Sequence, residues 1–118
     1  MADGGFMSGR RSRNKGHGFE REIAREIRPL WPEARRGWQQ RDGAEQCDVE
    51  GTPYWVECKR MRRVNVQRAL AQALNDTDGR PVVLIWKDDY GKPWVAMELA
   101  QWLEDRGLTW RPAVTSES

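Results

Sequence analysis

From Gly18 onward the apolar residues Phe19, Ile23, Ile27 and Leu30 recur at helical spacing until Pro29 and Pro32 interrupt them. That spacing predicts a first helix near residues 17–28. Its outer face carries Arg21, Glu22, Arg25 and Glu26, whereas Glu20 sits at the edge of the apolar stripe beside Phe19 and can lean inward. A short edge strand is expected around 34–40, then a loop over 41–45.

Residues 46–50 and 53–59 flank Gly51-Thr52 and read as a hairpin. Side chains alternate along a strand, so Trp55, Glu57 and Lys59 share one face while Tyr54, Val56 and Cys58 share the other. With Glu50 opposite Pro53, Asp48 lies opposite Trp55 and joins Glu57 and Lys59 on one face. Taken alone, Glu57 and Lys59 read as an ion pair on a half-exposed sheet; Asp48 gives them a possible chemical partner.

Val66, Ala69, Leu70, Ala73 and Leu74 predict a second helix near 65–76, with Gln67 and Gln72 on opposite flanks that periodicity does not separate. The run PVVLIW, starting at Pro81, fits a strand buried on both faces. Residues 94–97 suggest an adjoining strand, and Leu99, Trp102 and Leu103 a third helix stopped by Gly107. The order αβββαββα predicts an α/β domain with a mixed sheet flanked by helices. The expected organisation is a basic arm over 1–15, a folded domain over 16–111 and a short tail over 112–118.

The chain has 118 residues, enough for one core, and is 38% hydrophobic and 32% charged. No run has the length of a membrane span, and MADGGFMSG lacks the apolar centre of a signal peptide, so a cytoplasmic location is expected, with no membrane partner. Cys47 and Cys58 with the single His17 fall short of a structural zinc site and read as reduced core residues; His17 reads as a helix-entry or DNA-facing residue.

The net charge of +2 hides an asymmetry, since residues 10–63 hold 14 Lys/Arg against 9 Asp/Glu, while residues 64–118 hold 6 against 8. The basic positions Arg10, Arg11, Arg13, Lys15, Arg35, Arg36, Arg41, Arg60, Arg62 and Arg63 suit a polyanion such as DNA. Hydrolysis of a phosphodiester at neutral pH needs an activated water and positive charge near the developing negative charge, which a divalent metal supplies. Magnesium or manganese is expected here, because Mg²⁺ takes a few oxygen ligands and keeps its waters. Asp48, Glu57 and the Cys58 carbonyl are the candidate ligands, with Lys59 to orient or deprotonate the water or stabilise the phosphoryl group.

Asp48 followed by Glu57-Cys58-Lys59 resembles the signature of the PD-(D/E)xK nuclease superfamily, with Cys47 where that family often has Pro. The segment KGHGFEREIAREI over 15–27 is similar to the opening of archaeal-type Holliday junction resolvases, and Gln72 in AQA lies thirteen residues after Lys59 at the position of a family glutamine. Small phage-encoded resolvases of this type are the nearest likeness. The loop RDGAE before Asp48 departs from it, lacking the family's serine.

The resemblance implies a restriction-endonuclease-like three-layer fold, Glu20 facing the metal, and Glu20, Asp48, Glu57, Lys59 and Gln72 as the catalytic set. It also implies cleavage of four-way or otherwise branched DNA by paired hydrolysis. A homodimer is expected, since paired nicks need two sites, with Trp94, Val95, Met97, Leu99 and Trp102 as the apolar interface. Two other readings are a repair or restriction-type nuclease on duplex or flap DNA, and a DNA-binding module that has lost catalysis.

Overall fold

The computed structural model describes residues 18–37, 40–41 and 44–112, with no side-chain detail for 40, 41, 44 and 45. The basic arm with Arg10, Arg11, Arg13 and Lys15, together with His17, the side chain of Arg41, and the tail beyond Pro112, lies outside the described residues.

The first helix, α1, covers residues 18–27. Phe19, Ile23 and Ala24 are buried on its inner face, and the chain turns at Pro29 and Pro32, with Trp31 N–H still donating to the Ile27 carbonyl. The second helix, α2 (Val66–Asp76), is capped by Asn65, whose side chain accepts from Arg68 N–H, and buries Ala69 and Ala73. The third, α3 (Leu99–Glu104), ends in a turn where Gly107 adopts a φ of 82° and Leu108 N–H donates to the Leu103 carbonyl, the glycine stop expected from the sequence.

Five strands form one mixed sheet: β1 (Arg35–Arg36), β4 (Val49–Glu50), β5 (Trp55–Met61), β6 (Val82–Asp88) and β7 (Trp94–Ala96), adjacent in that order. Only β5 and β6 run parallel, the crossover between them being α2; the other pairs are antiparallel. Parallel neighbours need such a crossover, and β6, buried from Val82 through Ile85, is the two-sided strand that its apolar run implied.

Side-chain alternation divides the core as the sequence suggested. Val56, Cys58, Val83 and Ile85 pack with Phe19, Ile23 and Ala24 of α1, and Trp55 and Val82 pack with Cys47, Ala73 and Leu70 on the α2 side. The domain is therefore an α/β structure with helices against both faces of a five-stranded mixed sheet. Among the described residues no helix is long and apolar enough to cross a membrane.

The structure corrects the strand assignments before Gly51. In place of one edge strand over 34–40, β1 has two residues, and β2 (Gln40–Arg41) pairs with β3 (Ala44–Glu45) in a separate ribbon where a loop was expected. Gly37 marks the departure point: its N–H donates to the Asp48 carbonyl, and a Cβ there would lie 2.2 Å from the Cys47 carbonyl oxygen. The hairpin register also differs. Val49 pairs with Val56 across a four-residue connection, 51–54, which puts Glu57 rather than Trp55 level with Asp48.

Gly51 sets that connection. Its φ is 88°, and a Cβ would lie 2.2 Å from the Glu33 carbonyl oxygen, so the turn is wedged against the segment leading into β1. The register moves by two residues, an even number, which leaves every β5 side chain on its expected face.

Candidate active site

Asp48 is the pivot of the site. It is 8% exposed, lies just before β4, and its Oδ2 accepts the backbone N–H of Cys58 at 2.8 Å. A strand N–H points along the plane of the sheet, so the carboxylate sits at the edge of β5 rather than on the same face as Glu57 and Lys59. This corrects the one-face arrangement expected from the sequence. The physical reason is that β4 begins only at Val49, leaving the next amide of β5 to be satisfied by a side chain.

From that edge Asp48 meets carboxylates arriving from both faces. Glu20 projects from α1, is 6% exposed and receives a hydrogen bond from Arg36 Nε at 3.0 Å. Burial and the charge of Asp48 push its carboxyl up to about 7, against the lowering effect of Arg36. Glu57 lies on the α2 face, where Trp55 Nε1 donates to its Oε1 at 3.3 Å and Lys59 Nζ stands 3.9 Å from its Oε2. Burial, then Asp48, raises it to about 7 as well, with Lys59 and Trp55 acting in the opposite direction. Two acids from different elements are thus destabilised as anions by desolvation and by the same third acid.

The cysteines take no charged role. Burial drives the Cys58 thiol well above its ordinary value, with Asp48, Glu20 and Glu57 adding to the effect, and burial raises Cys47 too. The main chain of Cys58 is a different matter. N–H and C=O of one residue leave the same edge of a strand, so with its N–H on Asp48 the Cys58 carbonyl also faces the Asp48 side and not β6.

Magnesium fits this donor set: two carboxylates, Asp48 and Glu57, one carbonyl, and a local excess of buried negative charge that favours a cation. Glu20, expected to face the metal, holds Arg36 through its Oε2 and lies beside Asp48. Among the described residues no group of three His, Cys, Asp or Glu side chains is arranged as a metal cage.

Gln72 is resolved from Gln67 by position. It lines a cavity of about 290 Å³ together with Lys59, while its carboxamide donates to Asp76 Oδ2 at 3.1 Å. The same cavity exposes a residue the sequence reading passed over, Arg68. It lies four positions before Gln72 on one helix flank, a spacing that identifies it once Gln72 is placed.

The basic residues assigned to DNA divide into two groups. Arg36 is bound to Glu20, Arg35 is paired with Glu50 at 3.3 Å while remaining exposed, and Arg60 Nε stands 3.7 Å from Asp89 Oδ1. Arg62 and Arg63 are exposed just beyond β5. Set against protein-family models, curated proteins and solved structures, the chain matches none of them, so the site is interpreted from this geometry.

Proposed function

We propose that the protein is a metal-dependent endodeoxyribonuclease that resolves four-way or other branched DNA by paired phosphodiester hydrolysis, with a restriction-endonuclease-like fold. The observation that carries the reading is the convergence on Asp48 of Glu20 from α1 and Glu57 from β5, with Lys59 3.9 Å from Glu57. Four chemically reactive side chains from three parts of the chain come together at the edge of a sheet where one strand starts late. A fold gains no stability from crowding three acids, and sites of this kind are where perturbed acids do chemistry.

Asp48, Glu57 and the Cys58 carbonyl would hold Mg²⁺ or Mn²⁺, which when bound supplies a more acidic water and positive charge at the phosphoryl oxygens. Asp48 keeps its orientation through the Cys58 amide, and Trp55 fixes Glu57 from the other side. Glu20, neutralised in part by Arg36, positions Asp48 and limits solvent access from the α1 side. Lys59 places an ammonium group beside the carboxylates, where it can hold the attacking water or offset charge gathering on the phosphate.

Branched DNA offers no sequence to read, so recognition rests on phosphate contacts and on the shape of the junction. Paired nicks require two sites, and a homodimer supplies them. Trp94, Val95, Leu99 and Trp102 are 43–63% exposed, and an apolar groove of about 550 Å³ runs between Ile27, Trp31, Val95, Met97 and Trp102. Val95, Met97 and Trp102 line that groove on the α1 side, whereas Trp94 stacks on Trp86, which is level with Lys59 in the sheet.

The test is incubation of the purified protein with labelled duplex, flap and four-way DNA, with Mg²⁺, with Mn²⁺ and with chelator. Symmetric paired nicks in the four-way substrate are expected only with metal. Cleavage confined to duplex or flap DNA assigns the protein to repair or restriction-type nucleases, and tight binding without cleavage under every condition refutes the enzymatic reading.

A further inference from the structure

The cavity beside Lys59 has a composition that the proposed hydrolysis does not require. Lys59, Arg63 and Arg68 supply three cationic side chains, and no carboxylate is among the described residues that line it. Val64 and Ala69, both buried, form an apolar floor. Asn65 and Gln72 complete the rim with amide groups. The eleven-residue helix α2 begins here. Of its first-turn amides Arg68 N–H is taken by Asn65 Oδ1, and those of Val66 and Gln67 precede it at the same end. Cationic side chains, amide donors and the positive end of a helix therefore meet at one concavity of about 290 Å³.

The nearby acids lie outside the lining of the cavity. Glu57 is 3.9 Å from Lys59 but belongs to the carboxylate site, Asp88 Oδ1 accepts Val64 N–H, and Asp76 receives the Gln72 carboxamide one turn further along α2. Arg63 and Arg68 are exposed, and neither guanidinium has an ion pair among the described residues.

We propose that this pocket is a phosphate subsite: Arg63, Arg68 and the start of α2 hold a nucleotide phosphate next to the one being hydrolysed, with Lys59 shared between the two positions. The assignment rests on the nuclease reading for its place in a reaction, but phosphate binding itself does not depend on cleavage. Arg63 in the bend after β5 and Arg68 in the first turn of α2 present forked donors, which suit phosphate oxygens better than a point charge does. The subsite fixes the distance between the carboxylates and the next phosphate along the strand, and so fixes which bond is presented for cleavage.

Isotope-labelled protein in phosphate-free buffer is titrated with inorganic phosphate, with the dinucleotide TpT, and with thymidine as the phosphate-free control. Shifts of the Val66 and Gln67 amides and of the Arg63 and Arg68 Nε–H signals are expected with phosphate and more tightly with TpT, and none with thymidine. The double variant Arg63→Ala/Arg68→Ala should weaken TpT binding about tenfold or more and lower the salt slope of oligonucleotide binding by about one per cation removed. Arg63→Lys/Arg68→Lys should recover part of the affinity, and Lys92→Ala, in the β6–β7 turn, should change nothing.

Shifts spread over unrelated surface cations, or a double variant that binds TpT as well as the parent, overturn the subsite. Wild type that shows the α2 shifts but cuts no DNA with metal keeps the subsite and removes the nuclease reading. Wild type that cuts, with rate and salt slope untouched in the double variant, keeps the nuclease and removes the subsite.

Discussion

Replacing Glu57 with Gln should stabilise the metal-free protein at alkaline pH while abolishing cleavage. Gln has the shape of the protonated acid and keeps an oxygen to accept from Trp55 Nε1. The wild-type carboxyl moves from an ordinary value of 4.5 to about 7 on folding, a net change that already includes the opposing help of Lys59 and Trp55. Between these two values the unfolded chain has lost the proton and the folded protein retains it, so stability falls as pH rises through that window and levels off above it. Above pH 8 the ionised group costs about 3 kcal/mol relative to its neutral form, and a chain of this size gains about 4 °C in Tm per kcal/mol. The variant should therefore melt about 10 °C above wild type at pH 8.5 in chelator, and the difference should disappear near pH 4, where both side chains are neutral. Mg²⁺ should raise the wild-type Tm at pH 8.5 and leave that of the variant nearly unchanged. A variant that melts at or below the wild-type temperature at pH 8.5 refutes the claim that Asp48 and burial destabilise this carboxylate.

Arg36→Ala leaves Glu20 buried beside Asp48 without its guanidinium, and urea unfolding at pH 8 should show a loss of about 2–3 kcal/mol that shrinks at pH 4, when Glu20 is protonated. Gly51→Ala places a Cβ against the Glu33 carbonyl at a φ of 88°, and should cost about 2 kcal/mol or more in the same assay, at every pH alike. Light scattering at micromolar concentration should give about twice the chain mass of 13.7 kDa, and Val95→Asp, which puts a charge on the exposed apolar face, should return the mass to that of one chain without altering the far-ultraviolet circular dichroism.

The elements that could be read from sequence are those whose signal is local. The alternation of Trp55, Glu57 and Lys59 against Tyr54, Val56 and Cys58 survives in β5 because each set meets a different layer, α2 on one side and α1 on the other. The α2 stripe survives at Ala69 and Ala73, which are buried, but not at Leu74, which is 47% exposed, and the Gly107 stop survives because it depends only on its own backbone. The features that were misread depend on contacts between distant positions. Gly51 sets the register of the hairpin through the carbonyl of Glu33, and Gly37 ends β1 through the carbonyl of Cys47. Gln40–Arg41 and Ala44–Glu45 form a ribbon with no apolar alternation to announce it.

Charge was the least readable property, because a basic residue looks the same whether it faces a phosphate or a buried acid. Arg35, Arg36 and Arg60 read from the sequence as polyanion contacts, and in the fold each also meets an acid: Arg36 holds Glu20, Arg35 meets Glu50 while staying exposed, and Arg60 lies beside Asp89. Their partners are 16, 15 and 29 residues away in sequence, beyond any local pattern. Among the described residues, the exposed cations without such a pair near the carboxylates are Arg62, Arg63 and Arg68, next to Lys59. Among the described residues, unpaired positive charge therefore gathers where β5 ends and α2 begins. On the proposed reading, DNA approaching from that side would reach Lys59 and Glu57 directly, with α1, Glu20 and Arg36 on the other side of Asp48.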